Sequence, residues 1–183
     1  LRELQILLNR QRLTFPVEAA VAISRQTCRG LHAAHELKDL DGQTLGLVHR
    51  DVTPHNLMCT SSGLIKLLDF GIAKATEGVL EATFSGDLKG KFSYMSPEQV
   101  RSLPTLDHRS DLFSLGLTAY EALVGRLPFD RDGGDFTMMR AIVEDEFPAP
   151  TAFDDRVPPE VATALMRALE KDPDRRYASA AEM

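Results

Sequence analysis

One stretch of sixteen residues, SDLFSLGLTAYEALVG at positions 110–125, limits most strongly what this chain can fold into. A helix built from it carries apolar residues on every side, which predicts a helix buried in a core and not one on the surface. The chain has 183 residues. That length is enough for one well-buried core and too short for two comfortable domains. The sequence therefore predicts one domain that contains a buried helix.

Two further helices are predicted before residue 40. The first covers Leu1 to about Asn9. The second runs to Leu37, with Thr14 as a candidate N-cap and Pro16 in its first turn, where a missing N–H costs nothing. Apolar residues at helical spacing mark the buried face expected for this second helix, namely Val17, Val21, Cys28, Leu31 and Ala34.

The remaining segments are predicted to form a strand pair, a long loop and two amphipathic helices. Residues 57–68, LMCTSSGLIKLL, predict two short strands around a Ser-Ser-Gly turn. Residues 69 to about 99 are too polar and too rich in glycine for a regular element, and loops of this length are usually functional or disordered. Two amphipathic helices are predicted beyond the buried one, from Phe136, Met139 and Val143 in the first and Val161, Leu165 and Leu169 in the second. The expected fold class is mainly α with short β-hairpins.

Composition argues against several classes of protein. The net charge of -6 provides no basic surface for nucleic acid. No apolar run approaches the roughly 18 residues that span a bilayer, and no signal peptide opens the chain, so we expect no membrane segment. Cys28 and Cys59 are far apart and fit small buried apolar residues in a reducing compartment better than a disulfide framework or a zinc site. We therefore expect a cytoplasmic chain.

Four motifs carry the chemical signal. They are HRDVTPHN at 49–56, DFG at 69–71, SPE at 96–98 and the buried-helix segment that continues to LPF at 127–129. In order and spacing they resemble the serine/threonine protein kinases of the eukaryotic-like type that bacteria also carry. The resemblance covers the whole chain. It implies a protein-kinase-like fold and transfer of the ATP γ-phosphoryl group to Ser/Thr hydroxyls of protein substrates.

The resemblance also implies roles for the motif residues. Asp51 would accept or orient the proton of the substrate hydroxyl, while Asn56 and Asp69 would hold Mg²⁺ against the phosphates of ATP. Met58 would lie beneath the adenine ring, although it could equally be a plain core residue. Asp and Asn also favour ordinary loops, which is the alternative interpretation of the three polar residues.

Six positions look structural by the same resemblance. His49 and Phe70, with Gly71 beside them, would pack between the two halves of a kinase. Asp111 would anchor the catalytic loop from the buried helix. Two more residues match a buried ion pair of the family, Glu98 and Arg176.

The chain differs from the family pattern at two positions, where a lysine and a threonine are exchanged. Thr53 stands where the catalytic loop usually carries a lysine, and Lys91 stands where the activation segment usually carries a threonine. The exchange predicts that Lys91 supplies the missing cation, unless it is a solvated loop charge. Arg50 is expected to grip a phosphate on the activation segment, and the candidate phosphosites are Thr83 and Ser85, which could also be ordinary polar residues.

The Gly-rich phosphate loop and the Val-Ala-Ile-Lys strand of kinases do not occur in residues 1–183. We therefore expect the chain to be the C-terminal lobe of a kinase catalytic domain, cut at both ends. Its expected partners are a protein substrate and its own N-terminal lobe. The alternative is a pseudokinase lobe that serves as a protein-binding or regulatory module, and Thr53 is the feature that supports it.

Overall fold

A computed structural model describes residues 1–70, 91–104, 106–130 and 133–183 of the chain. Within these ranges the fold is mostly helical, with one small sheet. Short 3-10 turns cover Lys91–Tyr94, Pro150–Ala152 and Pro173–Arg175. The described ranges contain the α-helices α1 (Arg2–Arg10), α2 (Val17–His35), α3 (Pro97–Val100), α4 (Arg109–Val124), α5 (Gly134–Glu144) and α6 (Pro159–Ala168), and the strands β1 (Leu57–Cys59) and β2 (Ile65–Leu67).

Helix α4 runs through the interior, as the apolar pattern predicted. Every residue from Ser110 to Leu123 is buried. Phe113 and Tyr120 belong to a large core that extends to α5 and α6, whereas Leu112 and Leu115 belong to a second core with α2. The helix therefore connects the two cores and provides a rigid support for the loops at its ends.

The helix ends at Gly125, which adopts φ 78°. A side chain at this position would be strained, because L-residues rarely adopt that conformation. A Cβ atom there would also lie 3.3 Å from Cγ2 of Thr14. Glycine is thus required where α4 turns into the following loop.

Two details of α2 were wrong in the sequence-based prediction. Pro16 is the N-cap, and Thr14 does not cap the helix. Its hydroxyl instead accepts a hydrogen bond from Arg156 at 3.1 Å. The buried face consists of Ala20, Thr27, Cys28, Leu31 and His35. Val21 is exposed and Ala34 is only partly buried, because the position of α4 decides which face is covered.

The predicted face of α5 was also wrong. Phe136 is 78% exposed, whereas Met138, Ala141 and Ile142 are buried. The apolar pattern located the helix correctly, but the buried positions lie one or two residues away from the predicted ones. In α6 the prediction of Leu165 and Leu169 as core residues is confirmed, since both are buried.

The predicted strand pair is confirmed as an antiparallel hairpin. Leu57 pairs with Leu67 and Cys59 pairs with Ile65, and Gly63 in the turn adopts φ 77°. Beyond the paired residues, the N–H of Leu68 donates to the carbonyl of Asn56 at 2.8 Å. The open end of the hairpin therefore places the end of the 49–56 loop beside the start of the DFG motif.

Across the ranges described above, no helix is both long and apolar enough to cross a membrane. The predicted burial is confirmed for Cys28 but was wrong for Cys59, which is exposed, and neither cysteine forms a disulfide. Burial raises the pKa of Cys28 to about 11.

Candidate active site

The loop at 49–51 is held by one carboxylate from the first turn of α4. The two oxygens of Asp111 accept the N–H groups of His49 and Arg50, each at 2.8 Å. His35 of α2 adds a third donor through Nε2, also at 2.8 Å. Asp111 is fully buried, so these charge-assisted bonds act in a water-excluded place. The backbone before Asp51 is thereby fixed to the central helix.

His49 links this loop to the end of the hairpin. Its Nδ1 accepts the N–H of Asp51 at 3.2 Å, and its Nε2 donates to the carbonyl of Leu68 at 2.9 Å. Because a carbonyl can only accept, the proton of the neutral ring must sit on Nε2. The ring also packs against Phe70, with centroids 4.6 Å apart. One buried side chain thus sets the distance between the two polar motifs.

Asn56 and Asp69 lie at the open end of the hairpin. The amide nitrogen of Asn56 donates to the carbonyl of Asp51 at 2.9 Å, which leaves its oxygen for another partner. Asp69 is exposed and adopts φ 54°, and Arg50 adopts φ 66°. Non-glycine residues in this conformation cluster at functional sites, where surrounding contacts enforce the strain.

These residues fit a magnesium site that is completed by another molecule. Asn56 and Asp69 offer one amide oxygen and one carboxylate, both hard oxygen ligands. The described ranges contain no group of three or more His, Cys, Asp and Glu side chains that could hold a metal by themselves. Mg²⁺ usually takes one or two protein ligands and fills its other positions with phosphate oxygens and water. The donor set therefore suits a metal–nucleotide complex.

A second support comes from α3, which follows the SPE motif. Ser96 caps this helix and forms a reciprocal capping box with Gln99. The amide nitrogen of Gln99 also donates to the carbonyl of Arg50 at 2.9 Å. The end of the activation segment is therefore bonded to the loop that carries Asp51.

Glu98 and Arg176 form a bidentate ion pair with distances of 2.6 and 2.9 Å. Ser110 donates to the same carboxylate at 2.6 Å. Burial by itself would raise the pKa of Glu98, but the bonds and the charge of Arg176 outweigh it and hold the pKa below its usual value. The pair joins α3 to the turn at Pro173–Arg175.

The residues of the proposed charge exchange are described only in part. Thr53 is 7% exposed, and its carbonyl accepts the N–H of Asn56 at 3.0 Å. Lys91 begins the 3-10 turn at Lys91–Tyr94, but its side chain lies outside what the structure describes. Whether the ammonium group of Lys91 reaches Thr53 stays a prediction.

The remaining predicted site residues are Arg50, Met58 and three positions that the structure does not describe. The Arg50 side chain is half-buried, and within the described ranges it forms no ion pair. Met58 lies on β1 with 42% of its surface exposed. Three predicted positions lie outside the described residues, namely Gly71, Thr83 and Ser85.

Sequence reasoning missed three supporting contacts at this site. They are the bond from His35 to Asp111, the bond from Gln99 to Arg50, and the contact between Arg2 and Glu121 at 3.3 Å. Nothing in the local sequence pattern around His35 indicated a carboxylate partner. The presence of a polar residue on a buried helix face was the available signal, since buried polar groups need partners.

Comparison with known proteins agrees with this geometry. The protein kinase domain family matches residues 2–183. The "Tyrosine-protein kinase MasK" of Myxococcus xanthus is 40% identical over 95% of this chain, which spans 26% of that protein. The "Serine/threonine-protein kinase PknL" of Mycobacterium tuberculosis is 37% identical over 100% of this chain, which spans 42% of that protein.

A solved structure shows the same fold. The crystal structure of the Mycobacterium tuberculosis PknI kinase domain superposes with a TM-score of 0.68 and 28% identity. It covers 97% of this chain, and this chain covers 57% of it. The family match, the relatives and the shared fold lead to one conclusion: this chain belongs to the protein kinase family.

Proposed function

We propose that this chain is the C-terminal lobe of a longer kinase that transfers the ATP γ-phosphoryl group to serine or threonine hydroxyls of proteins. The observation that carries the proposal is the joint placement of Asp51, Asn56 and Asp69. Asp111 and His49 hold the backbone before Asp51 and before Asp69 by hydrogen bonds of 2.8 to 3.2 Å. Asn56 is bonded to the carbonyl of Asp51 at 2.9 Å. A phosphoryl-transfer site needs a proton acceptor and oxygen ligands for a metal, and this set provides both.

Each of the three side chains has a distinct task in the proposed reaction. Asp51 orients the substrate hydroxyl and accepts its proton, because its carboxylate lies on a backbone that is fixed at the two residues before it. Asn56 and Asp69 hold the metal, since they offer an amide oxygen and a carboxylate at the open end of the hairpin, and Mg²⁺ prefers such hard oxygen ligands. Mg²⁺ and ATP, when bound, supply charge neutralisation and the phosphoryl group. Catalysis then depends mainly on positioning.

The proposed kinase needs a second lobe to cover the nucleotide. The chain spans less than half of the length of each of the two curated relatives named above. The exposed side chain of Met58 on β1 offers an apolar surface for one face of the adenine ring. We propose that the N-terminal lobe supplies the other face and the phosphate-binding loop.

A pseudokinase lobe is the second candidate, and Thr53 is the observation that favours it. Without a cation beside the transferring phosphate, a kinase-like lobe could bind partners and perform no chemistry. The retained Asp51, Asn56 and Asp69 favour the enzyme, because a binding module has no need of all three.

The test is phosphoryl transfer by the complete kinase that contains this chain. We expect incorporation of labelled phosphate into a protein substrate with ATP and Mg²⁺, and loss of incorporation with EDTA or in Asp69→Asn. Acid hydrolysis and phosphoamino-acid analysis then identify the acceptor, which matters because one relative is named a tyrosine kinase. Phosphotyrosine alone would overturn the serine/threonine proposal, and absence of any incorporation would favour the pseudokinase.

A further inference from the structure

A cavity of about 560 Å³ lies between α1 and the end of α4. It adjoins the loop that carries Asp51, because the N–H of Arg2 donates to the carbonyl of Pro54 at 3.0 Å. The charges of Arg2, Asp51 and Glu121 all act on the neighbouring His55, whose pKa is lowered mainly by burial. The charged and amide side chains that line the cavity are Arg2, Asn9, Arg10, Glu121, Arg126 and Asp130.

The negative charge deepest in this cavity is already engaged. Glu121 is 3% exposed, and its carboxylate accepts hydrogen bonds from the hydroxyl of Tyr94 and from Arg2. Tyr94 belongs to the turn just before the SPE motif. Because two donors of the protein hold this carboxylate, it offers little attraction to a cationic ligand.

The positive charges, in contrast, remain available. The Arg2 side chain is 26% exposed, and only its Nη1 bonds to Glu121 within the described ranges. Arg10 and Arg126 are exposed at the rim. Arg126 lies over the ring of Phe153, 5.0 Å from its centroid, which restricts where the guanidinium can point. Three arginine residues therefore line the cavity, and Asp130 is the remaining acid in the lining.

We infer that this cavity is a substrate subsite that binds a carboxylate side chain, Asp or Glu, at one position beside the phosphorylated hydroxyl. The inference rests on the proposed function, because the cavity adjoins the loop of Asp51. Arginine binds carboxylates with paired N–H donors, and partial burial of Arg2 strengthens such a bond. A basic residue at the same peptide position meets three like charges and is disfavoured.

The experiment uses the complete kinase and one peptide series. An acceptor hydroxyl is kept constant, and each flanking position carries Asp, Asn or Arg in turn. We expect one position at which Asp exceeds Asn in kcat/KM by about three- to tenfold and Arg falls below Asn. Fluorescence anisotropy of the labelled peptides measures Kd independently of turnover, and the contrast should shrink with added salt.

Variants assign the preference to the cavity. Arg2→Gln should abolish the preference for Asp and improve binding of the Arg peptide, because Glu121 loses a partner. Arg126→Gln changes an exposed residue and should weaken the preference without affecting folding. Arg175→Gln is the matched control, since Arg175 is 73% exposed and does not line the cavity. It should leave the preference unchanged.

The outcomes separate this inference from the proposed function. Phosphorylation with no charge preference, or with a preference for Arg, overturns the subsite and leaves the kinase activity intact. A peptide series that is never phosphorylated but still binds with the Asp preference, lost in Arg2→Gln, supports the subsite and contradicts the activity. Equal Kd values for all peptides, without turnover, overturn both.

Discussion

At the proposed reaction centre, Thr53 stands where kinases usually carry a lysine, and Lys91 stands where they usually carry a threonine. Thr53 is buried two residues after Asp51, where its hydroxyl cannot neutralise a transferring phosphate. Lys91 stands at the start of the turn that leads to the buried Phe92. An exchange of the two roles would preserve one cation and one hydroxyl.

We predict that Lys91→Ala lowers kcat of the complete kinase by at least about tenfold. A hydrogen bond from a cation to phosphate is worth roughly 1.5–3 kcal/mol, and about 1.4 kcal/mol corresponds to a factor of ten. Thr53→Lys alone should bring no gain, because two ammonium groups would crowd one site. The double variant Thr53→Lys with Lys91→Thr should recover much of the rate.

The measurement is steady-state turnover, with circular dichroism to confirm that each variant is folded. Unchanged kcat in Lys91→Ala would show that the charge has not moved to this position. Thr53 would then be tolerated for another reason.

Contacts between helices set the geometry around the catalytic loop. Helix α3 has only four residues, yet it is held by its capping box, by Gln99 on the carbonyl of Arg50, and by Glu98 on Arg176. A helix this short is not stable alone, so its position depends on these bonds. The ion pair therefore supports the end of the activation segment as well as the fold.

We predict that the Glu98–Arg176 pair makes the free energy of unfolding depend on pH in the acidic range. The pKa of Glu98 is lower in the folded state than its ordinary value of 4.5. The pair's contribution is therefore complete above that value and is lost as the pH falls through the folded pKa. Glu98→Gln should lower the free energy of unfolding by about 3–5 kcal/mol at pH 7, because buried Arg176 loses its counter-charge.

Urea unfolding between pH 7 and pH 3 measures this effect. The difference between the original protein and Glu98→Gln should shrink as the pH falls. Glu170→Gln is the control, because Glu170 pairs with Arg175 at 3.9 Å, the two side chains are 43% and 73% exposed, and such surface pairs contribute less than about 1 kcal/mol. An equal loss in both variants at pH 7 would contradict the role of burial.

The sequence predicted what depends on local pattern. The apolar residues on every side of α4 and the Ser-Ser-Gly turn indicated a buried helix and a hairpin, and both are present. The polar motifs could be found because their spacing within short loops is fixed. Face assignments failed in α2 and α5, where Val21 and Phe136 are exposed, because neighbouring helices decide which face is covered.

The supporting contacts could not be predicted, because they join distant parts of the chain. His35 and Asp111 are 76 residues apart, and Arg2 and Glu121 are 119 residues apart. No local pattern encodes such a pair, since each partner alone resembles an ordinary polar residue on a helix. Only the packing of α1 and α2 against α4 reveals them.

Taken as a unit, the chain provides the substrate-facing half of a proposed kinase. The central helix supports the catalytic loop through Asp111 and the proposed substrate cavity through Glu121. Because Asp111 and Glu121 are on one buried helix, the proposed proton acceptor Asp51 and the proposed subsite are held at a fixed separation. This arrangement favours recognition of the peptide on the same rigid element that supports the chemistry.

Asp51 is proposed to act on the substrate hydroxyl in a phosphoryl-transfer reaction. The most direct measurement compares the complete kinase with its Asp51→Asn variant in single-turnover transfer from ATP to protein, with ATP affinity measured alongside. We predict that Asp51→Asn lowers the transfer rate by at least about a hundredfold, a loss typical of a missing general base, while the Kd for ATP changes little. An Asp51→Asn kinase that transfers phosphate at the original rate would show that Asp51 does not act on the substrate hydroxyl.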